Sequence, residues 1–366
     1  MHERRLSAVV LAAGEGTRMR SERPKPLHLL CGRPMILHVL DAMAEIDVTR
    51  VVVVVGHRAE WVTKTLVQHA PQSMEIEFVE QESQSGTGDA LAVGLTGLPH
   101  DDEEMEDVVV LPGDTPLLRP QTLAALVRYH RLEDASATLL TAQLDDPSGY
   151  GRIVHGNDNG VCRVVEEVDA TEDEKGIMEV NTSIYCFRRS ILAPALRRLT
   201  PANAQGEYYL TDSVSVLFNA GYQVRSLILA DSMEAAGVND RAQLAVAEAE
   251  LRDRINERWM RRGVTMWDPE RTYVDAEVML SPDVSLLPGV ILRGRCEVGE
   301  GSEIGPNCVL TDTTVGTHAV VTESRCDRST IGEGARIGPY CVLRPGADVG
   351  AGVVIAPHSV VEAPEV

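Results

Sequence analysis

The chain has 366 residues, 44% hydrophobic and 24% charged, the balance of a soluble globular protein of about two domains with no need of staples to hold its core. A net charge of −21 argues against nonspecific binding to nucleic acid or to an anionic membrane surface, so neither is expected as a partner. Seven scattered cysteines, with no C-x-x-C pair and no cysteine–histidine cluster, point to reduced, buried thiols rather than a disulfide framework or zinc site. No apolar h-region follows the basic start MHERRL, and Val51 to Val55 is far too short to span a bilayer, so a cytoplasmic protein is expected.

Up to about residue 230, short apolar runs read as buried strands: 6–13, 50–55, 76–80, 107–113, 136–144 and 179–187. Helical patterns at 34–46 and 121–133 lie between them. Strands alternating with amphipathic helices predict a mostly parallel sheet covered on both faces, with ligands at the carboxyl ends of its strands. Residues 240–262, rich in Ala, Glu, Leu and Arg, predict one long helix stopped by Gly263. After about Val274 a third texture begins. Ile337, Leu343, Val349, Ile355 and Val361 keep a strict period of six, echoed earlier by Val298-Gly299, Ile304-Gly305, Val315-Gly316 and Ile331-Gly332. That period predicts a parallel β-helix of roughly four to five coils rather than a generic Gly-rich β-sandwich. The expected divisions are 1–238, a linker helix at 239–263, and 264–366.

The first strand ends in a glycine turn, Gly14-Glu15-Gly16-Thr17-Arg18. Such a turn lets backbone N–H groups approach a phosphate closely. A dinucleotide fingerprint would place its third glycine at Met19, and no Gly-Lys-Ser/Thr follows for a P-loop, so both are excluded. A phosphate-binding turn followed by Arg18 and Lys25 remains, two cations spaced to converge on one polyphosphate. The competing reading is a plain strand–helix turn with surface arginines. Arg20 and Arg23 read as solvated turn residues.

The turn has company. L-A-A-G-E-G-T-R-M, P-K-P-L and G-R-P-M resemble the signature of sugar-1-phosphate nucleotidyltransferases. Further motifs follow in order: Gln81 to Ala90, Pro112-Gly113-Asp114, Gly149-Tyr150-Gly151-Arg152, Val165-Glu166 with Asp169-Ala170-Thr171, Glu179-Val180-Asn181-Thr182, Asn203 to Asp212, and Gly237-Val238-Asn239. With a hexapeptide β-helix behind them, the chain resembles the family of bifunctional N-acetylglucosamine-1-phosphate uridylyltransferases and glucosamine-1-phosphate acetyltransferases. The resemblance implies a Rossmann-like α/β domain followed by a left-handed parallel β-helix that packs as a homotrimer. It implies synthesis of UDP-N-acetylglucosamine, a peptidoglycan precursor, from UTP and N-acetylglucosamine-1-phosphate with Mg²⁺. Leu11, Ala12, Ala13 and Gly14 would hold the nucleotide, Arg18 and Lys25 the triphosphate, and Gln81, Gly86 and Thr87 the uracil. Gly113 would line the substrate site, Gly151, Glu166 and Asn181 would hold the sugar, and Asp114 and Asn239 would ligate the metal. By themselves, Asp114 also suits a turn and Asn239 a helix N-cap.

The chain departs from the family pattern at Pro112, where a bulkier residue is usual, and at Val168, which replaces a lysine and is expected to be peripheral. Arg344 matches an arginine of the acetyltransferase site, but the lysine expected some eighteen residues on is Glu362, and the sequence stops at Val366 without the catalytic histidine or acetyl-CoA coils. No acetyl transfer is therefore expected. Two rivals stay open: a nucleotidyltransferase for another base or hexose, and a non-catalytic homologue. The second would be expected to lose Arg18, Lys25, Asp114 or Asn239, and all four are present.

Overall fold

The computed structural model describes residues 4–99, 105–156 and 160–364. They fall into two compact units, one of residues up to His28 with Pro34–Leu244, the other of Leu29–Arg33 with Ala245 onward.

Eleven strands come first in chain order: β1 (Arg5–Leu11), β2 (Leu29–Leu30), β3 (Arg33–Pro34), β4 (Arg50–Val55), β5 (Glu75–Glu80), β6 (Glu106–Pro112), β7 (Ala137–Gln143), β8 (Arg152–His155), β9 (Val161–Val165), β10 (Glu179–Arg188) and β11 (Val224–Ile228). The helices among the described residues are α1 (Met35–Ala44), α2 (Ala59–His69), α3 (Thr87–Leu95), α4 (Pro120–Leu132), α5 (Glu172–Lys175), α6 (Arg189–Leu196), α7 (Asp212–Asn219) and α8 (Arg241–Arg261). The first unit is built on one sheet in the order β11-β7-β10-β6-β1-β4-β5, with β8 paired to β10 and β9 to β8. β1 pairs in parallel with β4 and β6, β4 with β5, and β7 with β11. Val51 to Val54 and Ala8 to Val10 are fully buried, as continuous β-branched runs covered on both faces require.

The predicted strands are present with small shifts. The first stops at Leu11 because Ala12 and Ala13 already enter the turn, although the Ala12 N–H still donates to Val54 O at 2.9 Å. β10 runs antiparallel to β6 and β7 and carries a bulge between Asn181 and Ile184, with Ser183 at φ +62°. β8, β9 and β11, short and interrupted by polar residues, carry no apolar run and are not predicted.

In the second unit, three parallel sheets of six, six and five short strands stack from Thr265–Met266 to Val360–Val361. That is more than the four to five coils expected. The inward residues Leu286, Leu292, Val298, Ile304, Leu310, Val321 and Leu343 are almost wholly buried. Ser285 pairs with Glu303, eighteen residues on (303 − 285), Glu303 with Val320, seventeen on, and Val320 with Arg336, sixteen on. Those shortened coils break the six-residue period in the middle of the domain, which is why fewer coils are legible. The segment Leu29–Arg33 belongs to this unit: the Cys31 N–H donates to Glu248 Oε2 at 2.8 Å and Arg33 pairs with Glu277 at 2.6 Å. All seven cysteines are free, six buried and Cys162 half-buried, and burial pushes the Cys308 thiol up to about 11. No helix among the described residues is long and apolar enough to cross a membrane.

Candidate active site

The chain runs from β1 to β4 and β5 on one side, then returns to β6 on the other side of β1. A strand order that reverses in this way opens a crevice at the carboxyl ends of the strands. A cleft of about 560 Å³ lies there, walled by Leu11–Gly14 after β1, Gln81 after β5 and Pro112–Asp114 after β6. Hydrogen bonds continue past the strand ends, Gly113 N–H to Leu11 O and Gln81 N–H to Val55 O, both 2.9 Å, and hold these turns in register.

The turn is shaped by Gly16, not by Gly14. Gly16 sits at φ +65°, and a Cβ on it would lie 2.6 Å from Lys25 Cβ. A Cβ on Gly14 would meet nothing within 4 Å. The protein therefore needs glycine at 16 to seat Lys25 and has no packing reason for it at 14.

Arg18 and Lys25 converge. Arg18 Nη2 donates to Asn239 Oδ1 at 3.0 Å and Lys25 Nζ to the same oxygen at 2.7 Å, while Lys25 also pairs with Asp114. The Val238 N–H donates to Asp114 O at 2.9 Å, which ties the Gly237–Asn239 turn to the end of β6. Asp240, not Asn239, caps α8, its Oδ1 accepting from the Ala242 and Gln243 N–H groups at 2.9 Å. A Cβ on Gly237 would stand 3.9 Å from Asp114 Oδ1 and 3.8 Å from Asn239 Nδ2, so both side chains border a space that glycine leaves open. The donor set, the Asp114 carboxylate with the Asn239 amide oxygen that Lys25 and Arg18 now hold, is of the kind a hard cation takes while completing its shell with phosphate and water. Among the described residues no group of three or more His, Cys, Asp or Glu side chains is placed to hold a metal ion.

Gln81, Gly86 and Thr87 come together in the cleft wall at the start of α3. Glu166 lines the cleft too, its Oε1 accepting from the Thr211 hydroxyl at 2.9 Å, next to Leu210, whose N–H donates to Thr87 Oγ1 at 3.1 Å. Burial pushes the Glu166 carboxyl up, the Thr211 hydrogen bond opposes this, and the nearby Asp212 and Asp169 charges reinforce it. Gly151 packs against Glu166 and passes its carbonyl to the Asn181 N–H at 2.8 Å. Asn181 itself is buried behind the wall, its Nδ2 donating to the Tyr185 hydroxyl at 2.8 Å, so Tyr185 and Ser183 rather than Asn181 face the cleft.

Leu11, Ala12, Ala13, Gly14, Lys25, Gln81, Gly86, Thr87, Gly113, Asp114 and Glu166 line the cleft; Arg18 and Asn239 join it through Lys25. Val168, expected to be peripheral, is exposed and lines the cleft. Arg20 and Arg23 are exposed, as expected. Sequence reasoning missed Gln84, whose Nε2 donates to Ala13 O at 2.9 Å and ties the loop after β5 to the glycine turn. It also missed Arg241, which donates to Met19 O at 3.1 Å and braces that turn from α8. The only sequence signal for the first was the Gln81–Gln84 spacing; a lone arginine in a helix gave none for the second.

Residues 8–214 match the family model described as the MobA-like NTP transferase domain, and 328–363 match the bacterial transferase hexapeptide, six repeats. With the sheet and coils above, these make the chain a nucleotidyltransferase that carries a hexapeptide β-helix. Comparisons over nearly the whole of this chain narrow the class. The chain is 47% identical to the bifunctional protein GlmU of Desulfitobacterium hafniense (strain DSM 10664 / DCB-2) over 93% of its own length and 73% of that relative's. It is 43% identical to the GlmU of Heliobacterium modesticaldum over 97% and 75%, and 47% identical to that of Rhodococcus jostii over 94% and 69%. The chain belongs to the GlmU family and is a sugar-1-phosphate nucleotidyltransferase.

Proposed function

We propose that the chain transfers uridylyl from UTP to N-acetylglucosamine-1-phosphate, releasing pyrophosphate. The observation that carries this reading is the meeting of Arg18, Lys25, Asp114 and Asn239 beside a cleft that the Gln81 amide and the half-buried Glu166 carboxylate also line. An ionised oxygen of the sugar phosphate attacks the α-phosphorus in line; the new P–O bond forms as the bond to pyrophosphate breaks. The attacking group is already an anion, so no side-chain nucleophile is needed, and catalysis is positioning plus charge neutralisation. Leu11–Gly14 offer backbone to the nucleotide, and Arg18 and Lys25 neutralise the triphosphate. Glu166 and the groups around Tyr185 suit sugar hydroxyls, which donate and accept. Asp114 and Asn239 would hold Mg²⁺, which when bound supplies further neutralisation at the phosphate oxygens.

Acetyl transfer is not part of the proposal. Arg344, the residue resembling an acetyltransferase-site arginine, is paired with Glu362 at 3.0 Å. We assign the β-helix to trimer formation instead, through the sheet face on which Tyr273, Ile291, Val309, Val342 and Val360 stand in parallel register. A cytoplasmic location suits these substrates.

The test is pyrophosphate release over four nucleoside triphosphates and several sugar-1-phosphates, with and without Mg²⁺. Release confined to UTP, N-acetylglucosamine-1-phosphate and Mg²⁺ supports the reading; equal turnover with another base or hexose overturns it. Thiol release from acetyl-CoA with glucosamine-1-phosphate would refute the second part.

A further inference from the structure

Gln81, only 6% exposed, lines the cleft. Its Nε2 donates to Asp89 Oδ2 at 2.7 Å and to Gly86 O at 3.2 Å. A carboxylate and a carbonyl only accept, so both amide hydrogens are committed and the amide has one satisfied orientation. Its Oε1 is left as the group with capacity for a ligand, and that group is an acceptor. Asp89 does not line the cleft. It stands in the first turn of α3, where the helix N-terminus favours its negative charge.

We propose that Asp89 is a positioning residue for base selection: by fixing the Gln81 amide it makes the cleft accept a base with a ring N–H, as in uracil, and reject one with a bare ring nitrogen, as in cytosine. The inference rests on the reading above that Gln81 meets the base. Uracil offers N3–H beside an O4 acceptor; cytosine offers a bare N3 beside an amino group. An amide turned by 180° presents Nε2 to the base and suits cytosine instead. In the protein as it stands, that turn sets Gln81 Oε1 against the Asp89 carboxylate and the Gly86 carbonyl, two repulsive contacts replacing two hydrogen bonds. Discrimination thus comes from a group that touches no substrate.

Asparagine at 89 has nearly the same shape but can donate or accept, so it removes one of the two repulsive contacts and leaves only the Gly86 carbonyl against the turned amide. Serine is equally ambivalent, whereas glutamate remains an acceptor only. The experiment is steady-state pyrophosphate release with UTP and with CTP for the wild type, D89N, D89S, D89E and Q81A, with thermal melting to verify folding. The expected result is a UTP/CTP ratio of kcat/KM about tenfold lower or more in D89N and D89S. The KM for UTP should rise and that for CTP fall, while D89E loses activity but keeps its ratio. A ratio that follows acceptor-only character at residue 89 is not the mark of a merely structural aspartate. Folded D89N and D89S with wild-type ratios, alongside a Q81A variant whose ratio collapses, would overturn the role of Asp89 alone. A Q81A ratio equal to wild type would instead refute the base-reading role of Gln81, and this inference with it.

Discussion

Lys25 Nζ and Asn239 Oδ1 meet at 2.7 Å although 214 residues separate them in the chain. The same ammonium pairs with Asp114, so the two side chains proposed to hold Mg²⁺ already hold a cation. In the free protein Lys25 supplies the positive charge that the metal would bring, and metal binding would release it toward phosphate. Lys25→Ala is therefore expected to have two opposite effects. Turnover should fall by about 10²–10³, as on losing one preorganised transition-state donor. Mg²⁺ binding without nucleotide, measured by calorimetry, should tighten, because a competing charge beside Asp114 is gone. Near-wild-type turnover together with unchanged Mg²⁺ affinity would contradict both halves.

Gly14 and Gly16 separate ligand approach from backbone need. Gly16→Ala places a Cβ against Lys25 at a left-handed φ, a strain of about 1–3 kcal/mol. It should lower both the melting temperature and turnover. Gly14→Ala meets no protein atom within 4 Å. It should melt like the wild type while the KM for UTP rises several-fold. A Gly14→Ala enzyme with normal UTP kinetics would remove the turn from the nucleotide site.

What was legible in the sequence followed from local pattern. The run Val51 to Val55 reads as a buried strand, and the period of six from Ile337 to Val361 favours a coil stacked on itself over a β-sandwich. The glycine turn and its two cations carried the site. Relations between distant segments were not legible. Nothing local shows that Asn181 turns its amide to Tyr185, because a bulge in β10 decides which side chains reach the cleft. Nor does it show that Leu29–Arg33 joins the second unit, since its contacts to Glu248 and Glu277 lie more than two hundred residues on. The coils shortened around Val315 and Ile331 broke the very period by which coils are counted.

Glu166 carries a pH dependence whose sign can be worked out. Its folded pKa is raised by burial first and then by Asp212 and Asp169, so the folded state holds its proton more tightly than the unfolded chain. The stabilisation from that proton is complete below the ordinary carboxylate range and is lost as pH rises through the raised value. Above the raised value the ionised, half-buried group is thus a burden on the fold. Glu166→Gln should raise the melting temperature at pH 7, and this gain should vanish toward pH 4, while the KM for the sugar phosphate increases. Melting curves across that range check the sign; a variant less stable than wild type at pH 7 but not at pH 4 would reverse it.

The outward face at Tyr273, Val342 and Val360 bears on assembly. These side chains are 43%, 39% and 55% exposed in the single chain, and with Ile291 and Val309 they form an apolar ladder interrupted by Arg325. Inward neighbours in the same strands, Leu343 among them, are buried in the coil, so outward charges leave the core untouched. Each apolar residue covered in a trimer contributes by the area it removes from water, about 25 cal/mol per Å². A pair of carboxylates on every protomer would have to be buried unpaired at the same place. The double variant Val342→Glu, Val360→Glu should accordingly sediment as a monomer while keeping the β-rich circular dichroism of the wild type. Sedimentation of wild type and variant at the same mass, whether both trimeric or both monomeric, would take the interface away from this face.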